Sequence, residues 1–525
     1  MTHDAFGEGD GDPHKWLIAL AATLASMMQV IDASIVNVAI PHMMGELGAS
    51  LDEIAWVSTG YIVASVIVMP MTGWLAAYFG RKRYFATSIG IFTVASFFCG
   101  ASHSLDTLIL WRLVQGVGGG ALLTTSQAII YEAFPRREIG MAMAVFGMGV
   151  MVGPTLGPTL GGWLTDAYSW PWIFYINLPI GVVAAAMVVA YVHDAEHHVK
   201  ATNIDFLGIA LLITAIGSLQ YVLEHGQGEG WFESSTILTL SVVTALAMIL
   251  LVWRELTVEE PVIDFRVLRH REMAVGTTIG VFMGVALFGS VFVLPIYLQG
   301  MLRMTAWQTG WVILPGALAT AFSMAVAGRL ANRFDARRMI MVGISLFAFA
   351  MWRMSLMTAQ TGAQDFFWPL ILRGLGLGMM FVPLTNLTLS GLDRLEIGAG
   401  TALSSFSRQI GGSLGIAALA TMLTHYTQQA KAVLAEHVTA YDGASLERIA
   451  GLTRGFVARG MDATGARQLA YTVLDRQLGA QASIIAFGKV FLLSGGVLLA
   501  TLPLLFIVKR AQPRLREATT VVHGE

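Results

Sequence analysis

Apolar residues along the chain gather into runs of about 20, separated by short polar breaks. That length crosses a hydrocarbon layer of about 30 Å at 1.5 Å rise per residue. The runs that qualify lie near residues 16–40, 54–75, 84–102, 106–131, 141–165, 171–192, 204–223, 235–253, 273–298, 308–331, 338–358, 366–390, 398–424 and 484–508. They predict an all-α integral membrane fold of about 14 transmembrane helices. An even count leaves both termini on one side. The first run is longer than the apolar core of a signal peptide and contains Asp32, so it reads as a retained signal-anchor helix.

The polar breaks differ on the two sides. On one side stand Lys15, Arg81, Lys82, Arg83, Arg136, Arg137, Lys200, Arg254, Arg266, Arg269, Arg271, Arg333, Arg337, Arg338, Arg394, Lys509 and Arg510, whereas the short loops on the other carry Arg303 alone. Short basic loops resist translocation, so the basic side is expected to be cytoplasmic, with both termini on it. The long connection 425–483 then lies outside, with helix-like mixed-charge stretches at Gln428–His437 and Ala466–Leu478.

Composition narrows the function. With 55% hydrophobic and 13% charged residues and a mean hydropathy of +0.66, the lipid bilayer is the main surrounding of this chain. A net charge of −2 gives no footprint for nucleic acid. The single cysteine, Cys99, cannot close an intramolecular disulfide. No metal-ligand spacing, nucleotide-binding loop or Ser/His/Asp grouping stands out, and His197-His198 is an isolated pair. These features disfavour a membrane enzyme or sensor and an ATP-driven pump, leaving a transporter with no cofactor that is driven by an ion gradient.

Two stretches repeat each other: Gly73-Trp-Leu75-Ala76 with Gly80-Arg81-Lys82-Arg83 after it, and Gly328-Arg-Leu330-Ala331 with Arg333, Arg337 and Arg338 after it. Arg112 in the fourth run and Arg373 in the twelfth also correspond, each followed twelve positions on by a threonine, Thr124 or Thr385. The repeat divides the chain into a six-helix half at 1–195, an inserted two-helix segment at 196–272, and a second six-helix half at 273–525 that includes the loop 425–483. Transporters built from such halves carry substrate near the midplane where the halves meet.

On these residues the chain resembles the major facilitator superfamily, and within it the fourteen-helix drug:H⁺ antiporters of the EmrB type. The loop Gly73 to Lys82 is similar to the superfamily signature, with Ala77-Tyr78 in place of its usual Asp-Arg. Arg112, Gln115, Gly116 and Gly120 resemble its buried-arginine motif. Gly149, Gly153, Pro154, Gly157, Pro158, Gly161 and Gly162 resemble the antiporter motif, and Asp32, Ser34, Asn37 and Pro41 the drug-exporter motif. The resemblance implies export of hydrophobic drugs or toxic compounds, lipophilic weak acids included, across a bacterial inner membrane by proton-coupled alternating access. It also implies an EmrA-type periplasmic adaptor leading to an outer-membrane channel. A proton-coupled importer on the same fold is the rival reading, which the antiporter motif disfavours.

Charges inside hydrocarbon are costly and mark functional candidates. Asp32 and Arg112 sit at matching depths below the outer ends of their spans and are expected to form a proton-coupling pair, Arg112 holding the carboxylate in its charged form. Arg353, Arg373 and Arg408, with Gln115 and Asn37, are candidates for the substrate cavity. The glycines at 149, 153, 157 and 161 line one face of a helix for close packing, with the prolines favouring a bend, and are expected at a rocking interface between the halves. Gly73, Gly80, Arg81, Lys82, Arg83, Arg333, Arg337 and Arg338 are candidates for a cytoplasmic gate.

Overall fold

The computed structural model describes residues 13–135, 138–193, 204–331, 333–393, 395–438 and 443–508, and every regular element among them is a helix. Arg136, Arg137, His197, His198, Lys200, Arg394, Lys509 and Arg510 lie outside the described residues. The first half comprises α1 (Lys15–Leu47), α2 (Leu51–Phe79), α3 (Arg81–Gly100), α4 (Leu105–Ala133), α5 (Ile139–Ala167), α6 (Trp172–Tyr175) and α7 (Asn177–Tyr191). The inserted pair is α8 (Phe206–His225) and α9 (Ser235–Thr257). The second half follows as α10 (Arg271–Gly300), α11 (Ala306–Leu330), α12 (Ala336–Ser355), α13 (Phe367–Leu389), α14 (Ile397–Glu436), α15 (Gly443–Val457) and α16 (Ala463–Leu499).

Polar caps set where the helices begin. Ser50 with Glu53 and Thr305 with Gln308 close capping boxes on α2 and α11, and Ser104, Asp205, Asp335 and Asp462 each accept from a first-turn amide of α4, α8, α12 and α16. Gly80, at φ +85°, is the entire connection between α2 and α3, a left-handed turn that a side chain would strain. Eleven helices among the described residues are long and apolar enough to cross a membrane: α1, α2, α4, α6–α7 taken together, α8 to α13, and α16. α3, α5 and α14 pack in the same bundle.

The run at 171–192 forms one apolar span, Trp172–Tyr191, whose backbone stays helical through Ile176. Pro179 has no amide hydrogen to donate to the Tyr175 carbonyl, and the regular helix lapses for the single residue Ile176 between α6 and α7. The connection 425–483 differs from an ordinary loop. α14 continues to Glu436 and α16 starts at Ala463, so helices of 40 and 37 residues, about 60 and 55 Å long, run well past a 30 Å hydrocarbon layer. Beyond it Lys431 and Asp475 pair at 2.8 Å, and α15 lies against α16.

Each half is built alike. α1 packs on α5 as α10 packs on α14, and α3 on α4 as α12 on α13. Lys15 at the start of α1 pairs at 2.8 Å with Glu138 just ahead of α5. Correspondingly, Arg269 and His270 ahead of α10 lie 2.6 and 3.1 Å from Glu396 ahead of α14. The halves meet along α5 against α11 and α2 against α14. The inserted pair rests on both halves: Glu224 accepts from Thr59 of α2, while Gln220 and Trp231 donate to Ser413 and Thr421 of α14.

Candidate functional site

Arg112 and Gln115, three residues apart, share one face of α4. α4 lies unusually close to α2, since a methyl built on Gly116 would stand 2.5 Å from the Tyr61 carbonyl oxygen. The arginine side chain therefore turns inward toward α1. Its Nη1 donates to Asp32 Oδ2 at 2.5 Å and to Gln115 Oε1 at 2.7 Å, and its Nε donates to the Val57 carbonyl at 2.9 Å. The guanidinium carbon stands 4.2 Å from the centre of the Tyr61 ring and 5.6 Å from that of Phe174. Asp32 is fully buried and Arg112 is 1% exposed.

The carboxylate is satisfied by three side-chain donors from two elements, α4 and α7. Besides Arg112, Gln115 Nε2 donates to Oδ1 at 2.9 Å and Asn177 Nδ2 donates to the same oxygen at 2.8 Å. Asn177 comes from the first position of α7, on the side of that helix that packs against α1. Its Nδ2 also donates to Ser96 Oγ at 3.0 Å, and Ser96 in turn donates to the Phe174 carbonyl at 2.9 Å. Cys99 Sγ lies 3.6 Å from Gln115 Oε1. The result is an ion pair in a water-excluded pocket, where attraction is strong and an unpaired charge is severely penalised. A proton on Asp32 would cancel the pair and leave Arg112 uncompensated, so proton uptake must be answered elsewhere in the bundle. This is the property a coupling site needs.

Gln115, expected to line a cavity, is instead fully buried in this cluster. Asn37 is exposed and accepts from Ser58 Oγ at 3.3 Å, which ties α1 to α2. Arg353 is not a buried cation: it is exposed in the last turn of α12, where its charge meets the helix C-terminus. Arg373 and Arg408 are buried, at 6% and 7% exposure, without acidic partners among the described residues. Arg373 leaves Nε and Nη1 unbonded, while Arg408 lies 4.8 Å over the Phe381 ring with Nη2 unbonded. Arg373 occupies in α13 the place Arg112 occupies in α4, but α10 carries no acid in its apolar interior to match Asp32.

The glycine face of α5 does not meet the other half. A methyl on Gly149 would strike Thr23, on Gly153 Val30, on Gly157 Ser34 and on Gly161 Ile35, all on α1, while Gly162 makes an ordinary contact with Val38. The stripe thus brings α1 and α5 together inside one half. α5 stays helical across positions 154 and 158; the side chains of Pro154 and Pro158 lie outside the described residues.

The crossings between the halves lie toward the basic end. A methyl on Gly73 would stand 3.2 Å from the Gly398–Ala399 backbone, one on Gly140 2.8 Å from the Gly328 carbonyl oxygen, and one on Gly328 2.5 Å from that of Gly140. Tyr131 donates to Asn386 Oδ1 at 2.5 Å and Ser405 to Gln127 Oε1 at 3.4 Å, each across the same interface.

The candidate gate arginines pair within their own halves. Arg81 pairs with Glu132, and Arg337 with Asp335 at 3.2 Å, while donating to the Val508 carbonyl. Arg81 also lies alongside Gly398 of the other half. Lys82 is partly buried, and Arg83, Arg333 and Arg338 are exposed. Sequence reading missed Gly140 and Gly398. Their signal was present as the tripeptide Glu-Ile-Gly repeated at 138–140 and 396–398.

Residues 22–416 match the family model described as Major Facilitator Superfamily. The Multidrug export protein EmrB of Escherichia coli (strain K12) is 34% identical over 497 residues, covering 94% of this chain and 95% of that one. Its namesake in Haemophilus influenzae is 33% identical over 503 residues, covering 95% and 96%. The Fatty acid resistance protein FarB of Neisseria gonorrhoeae is 30% identical over 493 residues, covering 94% and 96%. Among solved structures, the human organic anion transporter MFSD10 (TETRAN) superposes with a TM-score of 0.58 at 12% identity, over 93% of this chain and all of that one. At that identity the likeness concerns the fold.

Proposed function

The chain belongs to the Major Facilitator Superfamily and is a multidrug-type efflux transporter, not an enzyme, and from that premise we propose that it exports hydrophobic small molecules by exchange for protons at Asp32. The observation that carries the reading is the sealed Asp32–Arg112 pair. On this reading α3, α5 and α14 also cross the bilayer and bring the eleven apolar spans to fourteen, with the basic side and both termini in the cytoplasm of a bacterial inner membrane. The conformation described here, crossed by glycines at the basic end, is then the state closed toward the cytoplasm.

In the cycle, a proton from outside neutralises Asp32 and unpairs Arg112. Relief of that unpaired charge favours the state open to the cytoplasm, where the proton leaves and drug enters. Each charge crossing 100 mV supplies about 2.3 kcal/mol. Arg373 and Arg408, unbalanced in the second half, favour lipophilic weak acids among the cargo. The α14–α16 hairpin, standing beyond the bilayer, is suited to an EmrA-type adaptor leading to an outer-membrane channel.

The test is drug efflux from proteoliposomes under an imposed pH gradient. Intact protein is expected to move drug uphill and Asp32→Asn is not; uphill movement by Asp32→Asn would remove Asp32 from the mechanism.

A further inference from the structure

We infer that Asn177 is a positioning residue whose side-chain amide turns over when Asp32 takes up a proton, an inference that rests on the proton-coupling role of Asp32. The argument is one of hydrogen-bond supply. Ionised, Asp32 accepts from three side chains, and all three face it with N–H groups. Once protonated, it carries an O–H of its own and needs an acceptor.

Arg112 has none to give, since a guanidinium only donates. Gln115 has an amide oxygen, but Arg112 Nη1 holds it at 2.7 Å and Cys99 Sγ sits 3.6 Å away. Reversing Gln115 would break that bond and set its N–H₂ against the guanidinium. Asn177 is different: it is fully buried, and its Oδ1 is sealed from solvent with no hydrogen-bond partner. Turning its amide over gives up the two bonds at Nδ2 but none at Oδ1, and brings that oxygen to the Asp32 O–H.

Ser96 completes the exchange. Its hydroxyl now accepts from Asn177 Nδ2 and donates to the Phe174 carbonyl, and by rotation it can donate to the turned Oδ1 instead. One proton is gained, on the carboxylate, and no heavy-atom bond forms or breaks. The titratable groups facing the site among the described residues are Arg112 from α4, Tyr61 from α2 and Cys99 from α3, while α5 presents glycines to α1 and α7 presents Asn177 itself. Protonation at α1 is thereby read at the start of α7 and at Ser96 on α3.

The experiment is infrared difference spectroscopy, acid minus neutral, on protein reconstituted in liposomes with ¹³C-labelled asparagine side chains. The expected result is a carboxylic-acid band that Asp32→Asn abolishes, accompanied by a shifted carboxamide band that both Asp32→Asn and Asn177→Leu abolish. An Asp32 band with no asparagine band would overturn the inference while leaving Asp32 in place. Absence of any Asp32-dependent band would overturn the coupling reading itself, and this inference with it.

Transport supplies a second readout. Asn177→Leu loses a donor to the ionised form and an acceptor to the neutral form together, so the pH of half-maximal efflux should move by less than about half a unit. A move to higher pH by about a unit or more would mean that Asn177 serves only as a donor. Should Asn177→Leu fail to fold, the labelled wild type against Asp32→Asn decides the matter.

Discussion

Arg112 makes three hydrogen bonds inside a pocket closed to water, so its loss leaves the Asp32 carboxylate buried with two amide donors and no countercharge. Breaking a buried pair from one side typically costs about 3–5 kcal/mol. Arg112→Leu should therefore lower the melting temperature in detergent clearly, and the double variant Arg112→Leu with Asp32→Asn should recover part of the loss. A double variant less stable than Arg112→Leu alone would contradict the pairing energetics. At this scale the sequence was informative where a residue was expensive. A carboxylate and a guanidinium at matching depth announced themselves, because hydrocarbon makes each costly alone. Asn177 gave no such signal: a neutral amide is cheap enough to pass unnoticed, and its aim depends on how α7 packs against α1 and α3.

Among the helices, two kinds of glycine contact must be told apart. Gly157 packs α5 on α1 within a half, and Gly328 crosses Gly140 between the halves. Gly328→Ala would press a methyl to 2.5 Å from the Gly140 carbonyl, backbone that has little room to yield. The variant should keep near-normal stability but fail to close the basic end, which is read as loss of efflux with raised accessibility of cysteine probes placed near Tyr131. Gly157→Ala would press a methyl onto Ser34 inside one half and should reduce stability instead, by roughly 1–3 kcal/mol. Efflux unchanged in Gly328→Ala would refute the crossing as a gate. The glycine stripe of α5 was plain in the sequence, but its neighbour was not. A smooth helix face says that something approaches closely, not which helix does, and the family motif drew attention to 149–162 while the inter-half contact at Gly140 sits about two and a half turns earlier.

For the whole molecule, the internal repeat was the most legible feature, because the same loop and buried-arginine patterns recur about 255 residues apart. The structure adds the matching Lys15–Glu138 and Arg269–Glu396 pairs, which short motifs did not reveal since their partners lie far apart in sequence. The outer connection has helix-like stretches in its sequence. That α14 and α16 simply continue into it became visible only with the fold, since polarity marks where a helix leaves the membrane rather than where it ends. If the hairpin docks an adaptor, replacing residues 437–462 with a short flexible linker should leave efflux from proteoliposomes intact and abolish drug resistance in cells. Equal loss in both settings would assign the hairpin to the fold instead.

The central claim is that drug and proton compete through one buried carboxylate. Its most direct measurement is proton release on drug addition to purified, solubilised protein in weakly buffered solution. The account predicts that drug binding releases protons from the intact protein, and that Asp32→Asn binds drug and releases none. Undiminished release from a folded Asp32→Asn protein would contradict it.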